Sequence, residues 1–94
     1  MRSYIWETPD EINLALAQRI KGIRQRRGLS QTALSKKSGV SYSSLKRFET
    51  TGQISLLSLT RIAVALGCTD QIRMLFTDVP YLTIDEVVNE KSTN

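Results

Sequence analysis

The chain has 94 residues, 40% hydrophobic and 23% charged with a net charge of +4, which suits one folded domain with a short arm or tail to spare. No run of 18 apolar residues occurs, so no membrane span is expected, and the opening MRSYIWETPDE turns acidic too early for a secretory signal. A single cysteine, Cys68, and no histidine rule out an internal disulfide and a zinc-ligand set; no cofactor or metal is expected, and a reducing cytoplasm is the favoured setting.

The first helix begins at Thr8, whose side chain can cap it, with Pro9 at the first helical position and Glu11 completing a Thr-x-x-Glu capping box. Ile12, Leu16, Ile20 and Ile23 recur at helical spacing and mark its expected core face. Arg24, Arg26 and Arg27 crowd its last turn, where cations suit the helix dipole, and Gly28 ends it. Ser30 caps a second helix, QTALSKKS, with Ala33 and Leu34 inward and Gly39 at the turn. Ser41 caps a third, YSSLKRFETT, with Leu45 and Phe48 inward and Gly52 at its end. Ser55 opens a fourth, whose expected face is Leu56, Leu59, Ile62, Ala63 and Leu66, closed by Gly67. Thr69 or Asp70 begins a short fifth helix carrying Ile72, Leu75 and Phe76.

The two ends read less sharply. SYIWE, residues 3–7, fits either a strand or a disordered arm. In the tail, Tyr81, Leu82 and Ile84 fit a short strand, whereas Thr83-x-x-Glu86 is a second capping box that opens a helix through Val87 and Val88; the helix is preferred.

Charge is unevenly spread along these elements. Residues 12–48 hold nine basic side chains and no acidic one, whereas residues 49–94 set six acids against three bases. A basic half joined to an acidic half suits a phosphate-binding module with a separate interaction region, although a basic solvated surface would look the same by charge alone. Two short helices joined by a glycine-containing turn form the helix-turn-helix unit, whose second helix enters the major groove.

The pattern R-x-R-R-G-L-S-Q-x-x-L-S-x-x-S-G-V-S-x-x-x-L-x-R-F-E-x-x-G, followed by LxxLxRIAxALG, resembles the Cro/repressor type, or Xre family, of DNA-binding domains over residues 11–76. The resemblance implies an all-α fold: a compact five-helix lambda-repressor-like helix-turn-helix domain over residues 9–77, with an N-terminal arm (1–8) and a C-terminal tail (78–94) for dimer or partner contact. It also implies roles. Tyr42, Ser43, Lys46 and Arg47 match the base-reading positions, with Arg47 suited to guanine O6 and N7. Tyr42 is open to a thymine methyl or a phosphate, or to covering the bundle as a surface residue. Gln31 resembles the glutamine that anchors a phosphate and braces the recognition helix. Arg27, Lys36, Lys37, Thr51 and Gln53 are backbone-contact candidates, the two lysines being equally readable as a solvated face. Arg24 and Glu49 resemble a structural pair that bridges the first and third helices. Many relatives carry glutamine or asparagine at the reading positions; Tyr-Ser-Ser and Lys-Arg here point instead to a G-containing half-site.

Proteins of this type act as symmetric dimers, which implies a homodimer on a two-fold operator in double-stranded DNA. The expected dimer or partner surface is Ile72, Met74, Leu75, Phe76, Tyr81 and Leu82, with Tyr4, Ile5 and Trp6 either joining it or packing on the chain's own core. The phrase RFExTGxISLxSLxRIAxALG further resembles the regulators encoded beside HipA-type kinase toxins, implying an autorepressor and antitoxin component. A stand-alone or phage-type repressor, and an interaction module that has lost DNA binding, are the competing readings. With no metal set and no phosphate-cradling glycine loop, an enzyme is not expected.

Overall fold

A computed structural model describes residues 6–79, and five helices in chain order make up its regular structure: α1 (Pro9–Arg26), α2 (Gln31–Ser38), α3 (Tyr42–Thr51), α4 (Leu56–Ala65) and α5 (Thr69–Arg73). No strand occurs among the described residues. The arm residues Tyr4 and Ile5, the residues Tyr81 and Leu82, and both readings of the tail lie outside them.

Four of the five helix starts are closed by a side chain. Thr8 Oγ1 accepts from the Glu11 N–H at 3.1 Å while the Thr8 N–H donates to Glu11 Oε1 at 2.9 Å, a complete capping box. Ser30, Ser41 and Ser55 accept from the N–H groups of Ala33, Ser44 and Ser58 at 3.0–3.1 Å. Each cap satisfies a donor that the helix itself cannot and contributes about 1 kcal/mol.

Between α2 and α3 the chain reverses through Gly39, whose φ of 77° favours glycine. The reversal is pinned by side chains: Ser35 Oγ donates to the Val40 carbonyl at 2.6 Å, and Ser38 Oγ accepts from the Val40 N–H at 3.1 Å. Val40 is thereby fed into the core, where it meets Ala17, Leu34, Leu45, Phe48, Ile62 and Leu66, all buried. Full burial of each large side chain in that set contributes about 1.5–3 kcal/mol.

Three expectations about faces need correcting. On α1, Ile12 is half-exposed and Leu16 only partly covered, whereas Ala17 and Arg24 are the buried positions. The reason lies in how closely α1 approaches the end of α3. A Cβ on Gly52 would sit 2.7 Å from the Asn13 carbonyl carbon and the Leu14 nitrogen, so α1 meets the end of α3 almost backbone to backbone there, and Arg24, further along α1, reaches α3 with its long side chain. On α4, Leu56 is largely exposed and Leu59 half-buried; burial falls instead on Ile62 and Ala63 and, just past the helix, on Leu66. Helix α5 stops at Arg73, so Leu75 and Phe76 follow it rather than belong to it. Phe76 takes a left-handed φ of 61° and is 94% exposed, which ends any helical continuation.

Candidate nucleic-acid interface

Helix α3 divides cleanly into two sides. Leu45, Phe48 and Glu49 are buried, whereas Tyr42, Ser43, Lys46 and Arg47 are exposed. Residues 42 and 46, and 43 and 47, stand four apart, so the exposed four form two adjacent rows on one face of the helix. Lys46 Nζ lies over the Tyr42 ring, 6.0 Å from its centroid, a contact within the first of these rows. Arg47 Nη2 donates to Gln53 Oε1, and the Gln53 N–H donates to Thr51 Oγ1 at 3.1 Å. Thr51 Oγ1 in turn donates to the Arg47 carbonyl at 2.8 Å, so Arg47, Thr51 and Gln53 form one local network at the end of α3.

The one carboxylate of α3 is withdrawn from this face. Glu49, 3% exposed, receives Arg24 Nε on Oε2 at 2.7 Å, Arg24 Nη2 on Oε1 at 3.0 Å and Gln31 Nε2 on Oε1 at 2.8 Å. The third Arg24 nitrogen, Nη1, donates to the Leu29 carbonyl at 2.8 Å. No buried side-chain polar atom among the described residues is left without a partner. The result is an outward face of α3 with two cations and no acid.

Gln31 is the first residue of α2, and its side-chain amide ties that helix to α3 through Glu49. The Ser30 cap takes the Ala33 N–H, which leaves the backbone N–H groups of Gln31 and Thr32 at the positive end of the helix dipole. Lys36 and Lys37 are exposed at the other end of α2, about 8–9 Å along the axis from Gln31.

Arg27 takes a place that its grouping with the backbone-contact candidates did not anticipate. Its guanidinium lies against Gly67, within 3.6–3.8 Å of where a Cβ there would stand. With Ile23, Arg26, Cys68 and Gln71 it lines a cleft of about 500 Å³ between α1 and the α4–α5 turn. Of the dimer candidates, Ile72 is half-buried and Met74, Leu75 and Phe76 are exposed, as is Trp6.

One residue of the site had no mark in the sequence. Gln18 Nε2 on α1 donates to the Glu49 carbonyl at 2.9 Å, a second tether between α1 and α3 beside the ion pair. A lone amide on an amphipathic helix carries no periodic signal, and only the approach of α3 gives it a partner.

Two capped helices set around the Gly39–Val40–Ser41 turn, the second with an exposed basic face, are the geometry of a helix-turn-helix. The helix-turn-helix family pattern matches residues 20–72, more than half of the chain. The chain belongs to the helix-turn-helix family. It is thus a DNA-binding transcriptional regulator with a lambda-repressor-like all-α fold. Among curated proteins, none matches the helix-turn-helix chain. No helix among its described residues is long and apolar enough to cross a membrane.

Proposed function

We propose that the chain is a sequence-specific binder of double-stranded DNA that represses its own operon as a homodimer, with α3 in the major groove. The observation that carries this reading is the charge separation on α3: Tyr42, Ser43, Lys46 and Arg47 are exposed together, while Glu49 is buried and neutralised by Arg24. Arg47 reads a guanine. Its guanidinium has five N–H donors and commits one to Gln53, leaving a fork for O6 and N7. Gln53 acts as a positioning residue for that fork. Ser43 and Tyr42 contact neighbouring bases, and Lys46 a base or phosphate. Gln31 at the α2 N-terminus, Thr51, Lys36 and Lys37 hold phosphates. Arg27 is left out of the phosphate set, because its guanidinium packs on the α4–α5 turn.

The phrase RFExTGxISLxSLxRIAxALG supports a finer assignment, to the antitoxin and regulator of a HipA-type kinase toxin. Met74 and Phe76, exposed beyond α5, support the second copy's contact surface. The test is an electrophoretic mobility shift on the duplex upstream of the chain's own gene, for the native chain and Arg47→Ala, at several salt concentrations. Tight, salt-sensitive binding that Arg47→Ala weakens is the expected result. Equal, weak binding to that duplex and to an unrelated one would refute sequence-specific recognition. Co-purification with a kinase encoded beside it tests the finer assignment.

A further inference from the structure

Behind the DNA-facing side, α1, α4 and α5 leave a narrow apolar groove of about 110 Å³ lined by Leu16, Ile20, Leu59, Ala63, Ile72 and Leu75. It shares Ile23, Cys68 and Gln71 with the arginine-lined cleft, so apolar floor and cationic rim are continuous. A further cleft, lined by Arg19, Gly22 and Arg26, adjoins on the same helix. Arg19 and Arg26 lie roughly 140–160° around α1 from Arg24, so these cations face away from α3. Among the described residues Arg24–Glu49 is the sole ion pair, and Arg19, Arg26 and Arg27 have no carboxylate there.

The chain carries a matching sequence close at hand. Residues 81–90, YLTIDEVVNE, combine Leu82, Ile84, Val87 and Val88 with Asp85, Glu86 and Glu90, and contain no base. Val79 is four residues beyond the groove-lining Leu75, and ten further residues span up to about 33–36 Å, enough to run along α1. A tethered segment also acts at an effective concentration on the order of millimolar, which favours the chain's own tail over a free competitor.

We propose that residues 81–90 of the same chain fold back onto this face, with Leu82 and Ile84 in the apolar groove and Asp85 and Glu86 against Arg26 and Arg27. The tail then covers Ile72 and Leu75, while Met74 and Phe76, which do not line the groove, stay available to a second copy. The inference is independent of what α3 binds.

Cys68 reports on the docking directly: it is the chain's one cysteine, half-buried, and lines both groove and cleft. The rate of its reaction with the uncharged reagent 4,4′-dithiodipyridine is measured in the full chain and in the Leu82→Asp/Ile84→Asp variant, with helicity followed by circular dichroism. The expected result is a rate about tenfold or more higher in the variant at equal helicity, and unchanged protection of the native chain on dilution. Should that variant lose helicity, the charge swap decides: Arg26→Glu speeds the reaction and Glu86→Arg in the same chain restores protection. Equal rates in the native and altered-tail chains, or a swap without rescue, overturn the proposal. Protection that grows with protein concentration overturns it too and assigns the groove to a second copy.

Discussion

Arg24 on α1 and Glu49 on α3 meet as a buried fork, with Nε–Oε2 at 2.7 Å and Nη2–Oε1 at 3.0 Å, and Gln31 on α2 closes the third side of the same carboxylate. One carboxylate thus fixes the relative placement of three helices, including both members of the helix-turn-helix. Such a pair adds little net stability over apolar residues of similar size, because both ions were desolvated to form it. Its consequence is geometric: it sets how α3 stands on α1 while removing a negative charge from the DNA-facing side.

Breaking the pair from either end leaves a buried charge. Arg24→Ala and Glu49→Ala are each expected to lower stability by about 3–5 kcal/mol, and the double variant by much less than the sum. Chemical denaturation of the three variants and the native chain checks this. Strict additivity would mean that the two side chains do not act as a unit.

Arg47→Ala is expected to weaken specific binding by about 1–3 kcal/mol and relax discrimination at one base pair, with stability nearly unchanged because the side chain is exposed. Gln53→Ala should give a smaller loss at the same base pair, since it frees the Arg47 fork rather than removing it. Competition binding with single-base operator variants measures both. A uniform loss across all operator variants would make Arg47 a phosphate contact instead.

Gln31→Ala removes the brace to Glu49 and, on the proposed reading, a phosphate contact. Affinity should fall similarly for specific and unrelated duplexes, with a modest loss of stability of about 1–2 kcal/mol. Titration against both duplexes, alongside thermal melting, separates the two effects. A loss confined to one operator position would contradict the phosphate role.

Gly52 and Gly39 share a left-handed backbone but differ in surroundings. At Gly39 a Cβ would meet nothing within 4 Å, so Gly39→Ala is expected to cost about 1–2 kcal/mol from backbone strain alone. At Gly52 the same methyl would lie 2.7 Å from backbone atoms of Asn13 and Leu14, so Gly52→Ala should cost clearly more and push α1 away from α3. Comparing the two denaturation midpoints tests the ranking; equal losses would show that α1 yields easily.

The sequence by itself determined where the helices start, because a cap is a hydrogen bond spanning three residues: Thr8 with Glu11, Ser30 with Ala33, Ser41 with Ser44, Ser55 with Ser58. It also marked Leu34, Leu45, Phe48, Ile62 and Leu66 as inward-facing, and the family resemblance singled out Tyr42, Ser43, Lys46 and Arg47, which stand exposed on α3. Periodicity shows that a helix has an apolar side, but it does not say which neighbour covers that side or how closely. That is why Ile12 and Leu56, well placed in the pattern, stand exposed, while Ala17 and Arg24 take the contact with α3. The partners that decide these cases lie far along the chain: Gln18 and Arg24 find Glu49 across 31 and 25 residues, and Arg27 finds Gly67. Only the tertiary structure divided the arginines of α1 and its end. It buried Arg24 against a carboxylate and set Arg19, Arg26 and Arg27 around the far side of the helix. Charge counted along a chain is blind to which way each helix turns it.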